Sequence, residues 1–229
     1  MYSQVLNTGD KKGGTMEKKL VITINREYGS GGRLIGKALA QRLDIPYYDD
    51  EILQMASEHS AVAEEYFRLN DERPGNNLLQ RIIGGMRSRI EKPSIGDNIT
   101  SPDNLFRFES EVIRKLAENE SCILIGRCSD FVLASGGFED FISLFVYADL
   151  PTKVNRVVEV DGIDTKAALA RVTKMNRLRK EYYRYYSGEG WDDMSRYDLP
   201  INTTKLSLDQ TVELILKYLS LRGYETNEG

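Results

Sequence analysis

Short apolar runs alternate along the chain with longer segments whose apolar residues recur at helical spacing. Leu20-Val21-Ile22-Thr23-Ile24 is a nearly continuous apolar run, the pattern of a strand buried on both faces of a parallel sheet. Leu34, Ile35, Ala38, Leu39 and Leu43 then fall on one face of a helix that Asp44 and Pro46 end. Ile45-Pro46-Tyr47-Tyr48 reads as a second strand running into Asp49-Asp50. An amphipathic helix over Leu105 to Asn119 feeds a third strand, Cys122-Ile123-Leu124-Ile125, which ends in Gly126-Arg127. Ile142 to Tyr147 is a fourth strand, and Pro151 starts the next helix. Asp198 to Asn202 is a weak fifth strand. Ser207 caps a last helix carrying Leu208, Val212, Leu214, Ile215 and Leu219. Strands separated by helices predict an α/β fold with a five-stranded, parallel, doubly wound sheet flanked by helices.

Three segments break this rhythm. Residues 1–18 are polar, rich in Gly and Lys and without periodicity, as expected of a disordered leader before a single domain over 19–229. Residues 51–103 read as helical pieces broken by Arg73-Pro74-Gly75, Gly84-Gly85 and Pro93, an insertion with no sheet strand. From about 155 to 197 the chain is polar and rich in Arg and Tyr. The net charge of −4 over 229 residues gives no global argument for nucleic acid or a membrane, so any anion site must be local. The longest apolar runs, such as Phe141 to Ala148, are too short to span a bilayer. Two cysteines, Cys122 and Cys128, make no disulfide framework, and the lone His59 excludes a His-rich metal site. These features predict a reduced, cytoplasmic protein.

The chemistry centres on Gly29-Ser30-Gly31-Gly32, just before the first apolar-faced helix. Glycines at a helix start let backbone N–H groups converge on a phosphate that Cβ atoms would otherwise exclude. A structural turn is the plain alternative. A dinucleotide loop, GxGxxG with an acid some twenty residues on, would use Asp49, but its third glycine falls on Leu34. A P-loop, GxxxxGK[ST], has a literal near-match in Gly31 through Gly36-Lys37-Ala38, which would consume Leu34 and Ile35 and cut the helix to a stub. Counted from the strand, the loop is Asn25 to Gly31. Arg26 then stands at the usual first glycine, Gly32 at the usual lysine and Arg33 at the usual hydroxyl residue.

Ile22 to Arg33, with Pro46-Tyr47-Tyr48-Asp49, Ile125-Gly126-Arg127-Cys128-Ser129-Asp130, Arg179-Lys180-Glu181-Tyr182-Tyr183, Tyr197-Asp198-Leu199 and Asn202-Thr203, resembles the cytidylate kinase-like family over roughly residues 19–220. That family is a divergent branch of the P-loop nucleoside monophosphate kinases. The resemblance implies a P-loop NTPase-like sheet, a helical acceptor-site insertion near 51–103 and a basic helical lid near 151–197. It also implies ATP and Mg²⁺ as cofactors and a small nucleotide such as CMP or dCMP as acceptor, with no nucleic-acid or membrane partner. Cytidylate kinases carry Gly-Arg-Asp after the third strand; here Arg127 matches the Arg and Cys128 replaces the Asp.

Transfer to a nucleotide phosphate needs no general base, because the acceptor oxygen is already anionic; alignment and charge neutralisation suffice. Between Arg171 and Arg184 the lid segment holds Arg171, Lys174, Arg177, Arg179, Lys180 and Arg184 against one acid, Glu181. Arg33, in the first helical turn and so opposed by the helix dipole, is the natural substitute for the missing lysine, with Arg26 as a second possibility. The plain alternative for both is water, Glu27 or Asp49. Arg33, Arg127, Arg177 and Arg179 are thus the catalytic candidates. Arg26, Gly29, Ser30, Gly31, Gly32 and Arg33 are the nucleotide-binding ones, and Asp49, Arg127 and Asp130 the acceptor-binding ones. Asp49 is placed to orient the acceptor, to hold Mg²⁺ through water or to cap a helix, and Arg127 to bind substrate or to pair with Asp130 or Asp49. Tyr182, Tyr183, Tyr185, Tyr186 and Trp191 either stack on a base or, more simply, pack the lid helix on the core. A non-catalytic nucleotide binder and a kinase for another small molecule remain the competing expectations.

Overall fold

The computed structural model describes residues 19–64, 68 and 101–226. The leader 1–18 and the greater part of the 51–103 insertion lie outside them. The described elements are β1 (Val21–Arg26), α1 (Gly32–Leu43), β2 (Tyr47–Tyr48), α2 (Glu51–Ser60), α3 (Pro102–Asn119), β3 (Cys122–Ile125), α4 (Ser129–Ser135), β4 (Ile142–Tyr147), α5 (Leu150–Asp161), α6 (Thr165–Ser187), a 3₁₀ turn (Met194–Arg196), β5 (Leu199–Asn202) and α7 (Leu208–Leu221). All five expected strands form one parallel sheet in the order β2-β3-β1-β4-β5.

β1 sits at the centre, and all six of its residues are buried. It runs two residues beyond its apolar stretch, because Asn25 and Arg26 pair with Phe145 and Val146 of β4. The loop is therefore Glu27–Gly31, shorter than the Asn25–Gly31 expected from sequence. Alternate strand residues feed two cores, as the period of two requires. Ile22, Ile24, Ile123, Ile125 and Leu144 pack with Ile35 and Leu39 of α1 and Ile215 of α7. Val21, Leu124 and Phe145 pack on the other face with Ile52, Ile113, Val132, Tyr182 and Tyr183. Each fully buried Leu, Ile or Phe contributes about 1.5–3 kcal/mol, so the central strands are fixed tightly in register.

The basic segment resolves into α5 and α6. Val154 and Val157 of α5 meet Ala168 and Val172 of α6 in a small cluster of their own, with Tyr28 packed against it. The C-terminal half of α6 belongs to the main core. Phe106 stacks on Tyr186 at 3.8 Å, Tyr185 donates to Asp103 at 3.0 Å, and Tyr186 donates to the Pro102 carbonyl at 3.0 Å. The aromatic run is thus packing, and Trp191 is buried against Phe145.

Candidate functional site

The carboxyl ends of β1, β2, β3 and β4 open onto one crevice, the place where open α/β sheets bind ligands. Its floor is the loop Glu27–Gly31, which β4, α5, α6 and Thr203 just beyond β5 clamp. Glu27 N donates to the Val146 carbonyl at 2.9 Å, and its carboxylate takes hydrogen bonds from Lys153 Nζ at 2.7 Å and Ala148 N at 3.2 Å. Tyr28 N donates to Asn176 Oδ1 of α6 at 2.7 Å. The Ser30 carbonyl accepts from an Arg156 guanidinium nitrogen at 2.9 Å and from Thr203 Oγ1 at 2.8 Å. Ser30 itself is scaffold: its hydroxyl and its N–H both turn back to the Glu27 carbonyl.

The Glu27 and Ser30 carbonyls are thus engaged within the protein, whereas the loop's glycines keep their N–H groups out of this network. Gly29 has φ +80°, and a Cβ there would lie 2.7 Å from the Lys153 carbonyl oxygen, so only glycine lets α5 close over the loop. Gly31 is the N-cap of α1, again left-handed, and no side chain caps this helix. Side chains of Ser101, Asp149, Asp164 and Ser207 cap α3, α5, α6 and α7. Among the described residues, the N–H groups of Gly29, Gly31 and Gly32 meet no protein acceptor. Backbone N–H groups converging at a helix start, where the dipole is positive, suit an anion. Gly36 and Lys37 lie inside α1, so the literal P-loop register is excluded.

Arginines and two acids surround this cradle. Arg26 is buried at the end of β1, with a guanidinium nitrogen 3.9 Å from Asp49 Oδ1. Arg33 leaves the first turn of α1 toward Asp49, its Nε 2.7 Å from Oδ2, and a second nitrogen lies 3.5 Å from Asp50. Asp49, one of the partners expected for both arginines, is thus within ion-pair distance of each. Arg127 donates from Nε to the Asp49 carbonyl at 3.1 Å and reaches Asp50 at 3.4 Å. It approaches Asp49 through the backbone and also reaches the carboxylate of Asp50, for which the sequence offers no site signal.

Gly126, Arg127 and Cys128 all take left-handed φ values, +67°, +55° and +53°. Two consecutive non-glycine residues in that region cost about 1–3 kcal/mol each. The turn is held by the Arg127 contacts and by the buried α4 behind it, where Ser129 N donates to the Gly126 carbonyl at 2.9 Å. Asp130 lies behind the crevice rather than in it. It is buried, accepts from Tyr183 Oη at 2.8 Å, and its pKa is raised by burial. Asn25 Nδ2 and Asp130 Oδ1, both buried, make no hydrogen bond of good geometry. A small cavity lined by Asn25, Arg127, Cys128, Arg179, Tyr182, Tyr183 and Trp191 adjoins them.

Of the lid arginines, Arg179 joins the site. It is buried, donates to the Arg26 carbonyl at 2.9 Å and covers the Tyr28 ring at 5.7 Å. Arg177 points outward from the same helix, 3.9 Å from Glu181 and with 68% of its side chain exposed. Arg171 pairs with Asp161 at 2.5 Å. Lys153, Arg156 and Asn176, which build the loop's outer wall with Thr203, are not marked by any motif in the sequence, and Thr203 is marked only as part of the family resemblance. The spacing of Lys153 and Arg156 on a helix opened by Pro151 was the available signal. Among the described residues no group of three or more His, Cys, Asp or Glu side chains forms a metal cage. Mg²⁺ is commonly held by one or two carboxylates and substrate phosphates, which Asp49 and Asp50 can supply.

A model of the cytidylate kinase-like family matches residues 21–205, most of the chain and every element of this site. The chain belongs to the cytidylate kinase-like family. Family relatives named cytidylate kinase occur in Methanopyrus kandleri (24% identical, covering 86% of this chain and 91% of that protein) and Archaeoglobus fulgidus (23%, covering 90% and 98%). A third, from Staphylothermus marinus, is 33% identical, but the match spans only 34% of this chain and 44% of that protein. Among solved structures, an uncharacterized protein from Eubacterium ventriosum is 28% identical with a TM-score of 0.64, covering 88% of this chain and 99% of its own. Shikimate kinase from Bacteroides thetaiotaomicron shares the fold alone, at 14% identity and a TM-score of 0.50, covering 88% and 98%. The five-stranded parallel sheet with its flanking helices is that of a P-loop kinase fold, and the family is kinase-like. None of the described helices is long and apolar enough to cross a membrane.

Proposed function

We propose that this protein is an ATP-dependent phosphotransferase that moves the terminal phosphoryl group of ATP to a nucleoside monophosphate, CMP or dCMP first, in the cytoplasm. The observation that carries the reading is the cradle itself. Three glycine N–H groups in the loop and at the start of α1 meet no acceptor among the described residues, and Arg26, Arg33, Arg127 and Arg179 gather around them and Asp49. The names of the full-length archaeal relatives support the nucleotide acceptor.

In this reading the N–H groups of Gly29, Gly31 and Gly32 hold the phosphates of ATP. Arg33 and Arg127, with Asp49 and Asp50, form the facing acceptor side. An oxygen of the acceptor phosphate attacks the terminal phosphorus, the bond to the ADP oxygen breaks, and ADP leaves with that electron pair. No proton must move in the chemical step. Positioning and charge neutralisation then do the work. Mg²⁺, when bound, neutralises phosphate charge; Asp49 and Asp50 would hold it, directly or through water. Arg179 orders the loop from beneath, through the Arg26 carbonyl.

A coupled ADP-release assay across nucleoside monophosphates and small alcohols, beside nucleotide calorimetry, tests this. Turnover with CMP or dCMP above other acceptors is the expected result. Glycine at the lysine position favours a second reading, a nucleotide binder without transfer. ATP binding with no ADP release for any acceptor would establish that reading instead.

A further inference from the structure

We infer that Arg26 and Gly32 have exchanged the parts that the first glycine and the lysine play in a P-loop, so that the Arg26 guanidinium is the cation on the nucleotide's terminal phosphates. This rests on the nucleotide-binding reading given above. Counted from the strand, the glycine position holds Arg26 and the lysine position holds Gly32. The structure shows that the two changes are one. A Cβ at residue 32 would lie 2.6 Å from Arg26 Cβ and 3.0 Å from Arg26 Cγ, and the Cβ clash cannot be relieved by side-chain rotation because the backbone fixes that atom. Any side chain at 32 therefore competes with the Arg26 stem for one volume. The stem fills the space that Gly32 leaves open, and the side chain continues between α1 and the strand ends toward Asp49.

The surroundings suit that assignment. Arg26 ends β1 in the ladder with β4, at Val146, and its carbonyl is fixed by Arg179, so the origin of the side chain is rigid on both sides. The side chain is almost wholly buried, in a site that excludes water and strengthens electrostatic contacts. Asp49 lies 3.9 Å away, an ion-pair distance rather than a close fork, while its other contacts go to Arg33 at 2.7 Å and Tyr47 at 3.2 Å. Asp49 thus stands beside the Arg26 guanidinium as a counter-charge at the carboxyl end of β2. A guanidinium also offers a planar fork where the lysine would offer a point charge, which makes the replacement functional but not equivalent.

The test uses full-length protein and two measurements, thermal unfolding and ATP calorimetry. Gly32→Ala is expected to lower the unfolding temperature in the wild-type background and to cost far less in Arg26→Gly. Equal costs in both backgrounds would overturn the shared-volume half of the assignment. Arg26→Gly is expected to weaken ATP binding by about ten- to a hundred-fold, the scale of a lost charged hydrogen bond. Arg26→Gly/Gly32→Lys, which restores the usual arrangement, is expected to recover most of that loss. Arg26→Lys covers the case in which Arg26→Gly does not fold, and should bind ATP more weakly than wild type but retain binding. Wild-type affinity in folded Arg26→Gly, or no recovery in the folded double variant, overturns the assignment. ATP binding with these effects but without ADP release supports it and overturns only the transfer reaction; a wild-type protein that binds no ATP overturns both.

Discussion

Arg33 Nε lies 2.7 Å from Asp49 Oδ2, so the first turn of the loop's helix is tied to the end of β2 across the mouth of the crevice. A cation in a first helical turn is opposed by the dipole, and the Asp49 carboxylate is the counter-charge that makes it tolerable. About half of the Arg33 side chain is exposed, whereas Asp49 is buried. Because the arginine is screened by water, Arg33→Ala is expected to change stability by less than about 1 kcal/mol. Its functional effect should fall on the acceptor side, where Asp49, Asp50 and Arg127 meet: steady-state kinetics should show KM for the acceptor rising more than KM for ATP. A rise confined to ATP would move Arg33 onto the donor phosphates.

Gly29 makes a sharper test of the loop. Its φ of +80° and the Lys153 carbonyl 2.7 Å from a would-be Cβ mean that Gly29→Ala must both strain the loop and push α5 away. A left-handed alanine alone costs about 1–2 kcal/mol. Chemical denaturation should show at least that loss, and ATP affinity should fall with it, because the displaced helix carries Arg156 and its hold on the Ser30 carbonyl. Unchanged stability and affinity would show that the loop is looser than this packing requires.

The fold was legible because buried parallel strands announce themselves as apolar runs and helices as a spacing of three and four. Even the weak fifth strand expected over Asp198 to Asn202 forms, as β5 paired with β4. β1 was read two residues short because Asn25 and Arg26 are polar, and only pairing with β4 shows that they continue the ladder. The site was legible in its glycines, in Arg127 and in Asp49, all of which follow strand ends. It was not legible in the residues that build the loop's outer wall. Arg156, Asn176 and Thr203 lie far from the loop in sequence, and each acts through a backbone group, a contact that leaves no pattern in residue type. Asp130 misled for the opposite reason: its place in a recognisable motif suggested the crevice, while α4 turns it to Tyr183.

The basic segment expected to act as a lid divides at the middle of α6. Its N-terminal half shares a small cluster with α5, and its C-terminal half is fastened to α3 by Tyr185, Tyr186 and the Phe106 stack. Small satellite clusters open at lower free energy than main cores. Limited proteolysis should therefore cut around Gly162, in the turn between α5 and α6, and saturating ATP should slow that cleavage through the loop's contacts with both helices. Sites after Tyr182 should resist with or without nucleotide. Cleavage around Gly162 at the same rate with and without ATP would make α5 and α6 a fixed arm.

Asp130 gives a pH dependence whose sign follows from its surroundings. Burial raises its pKa, and the hydrogen bond from Tyr183 only partly offsets this. Tyr183 and Tyr197, whose own pKa values are raised by burial with Asp130 as the next cause, remain neutral, so neither supplies a cation to the carboxylate. The folded state thus keeps the proton to higher pH than the unfolded state does. Between the unfolded and folded pKa values the unfolded chain binds fewer protons, and stability falls as pH rises. Below the unfolded carboxylate value this term vanishes; above the folded one it reaches a constant cost. Asp130→Asn removes the titration while keeping an acceptor for the Tyr183 hydroxyl. The unfolding temperature of Asp130→Asn minus that of wild type is therefore expected to be smallest near pH 4 and to grow toward neutral pH. A difference that stays flat or shrinks over that range would show that Asp130 is charged in the folded protein, and that Asn25 or a neighbouring arginine supports its carboxylate more strongly than burial opposes it.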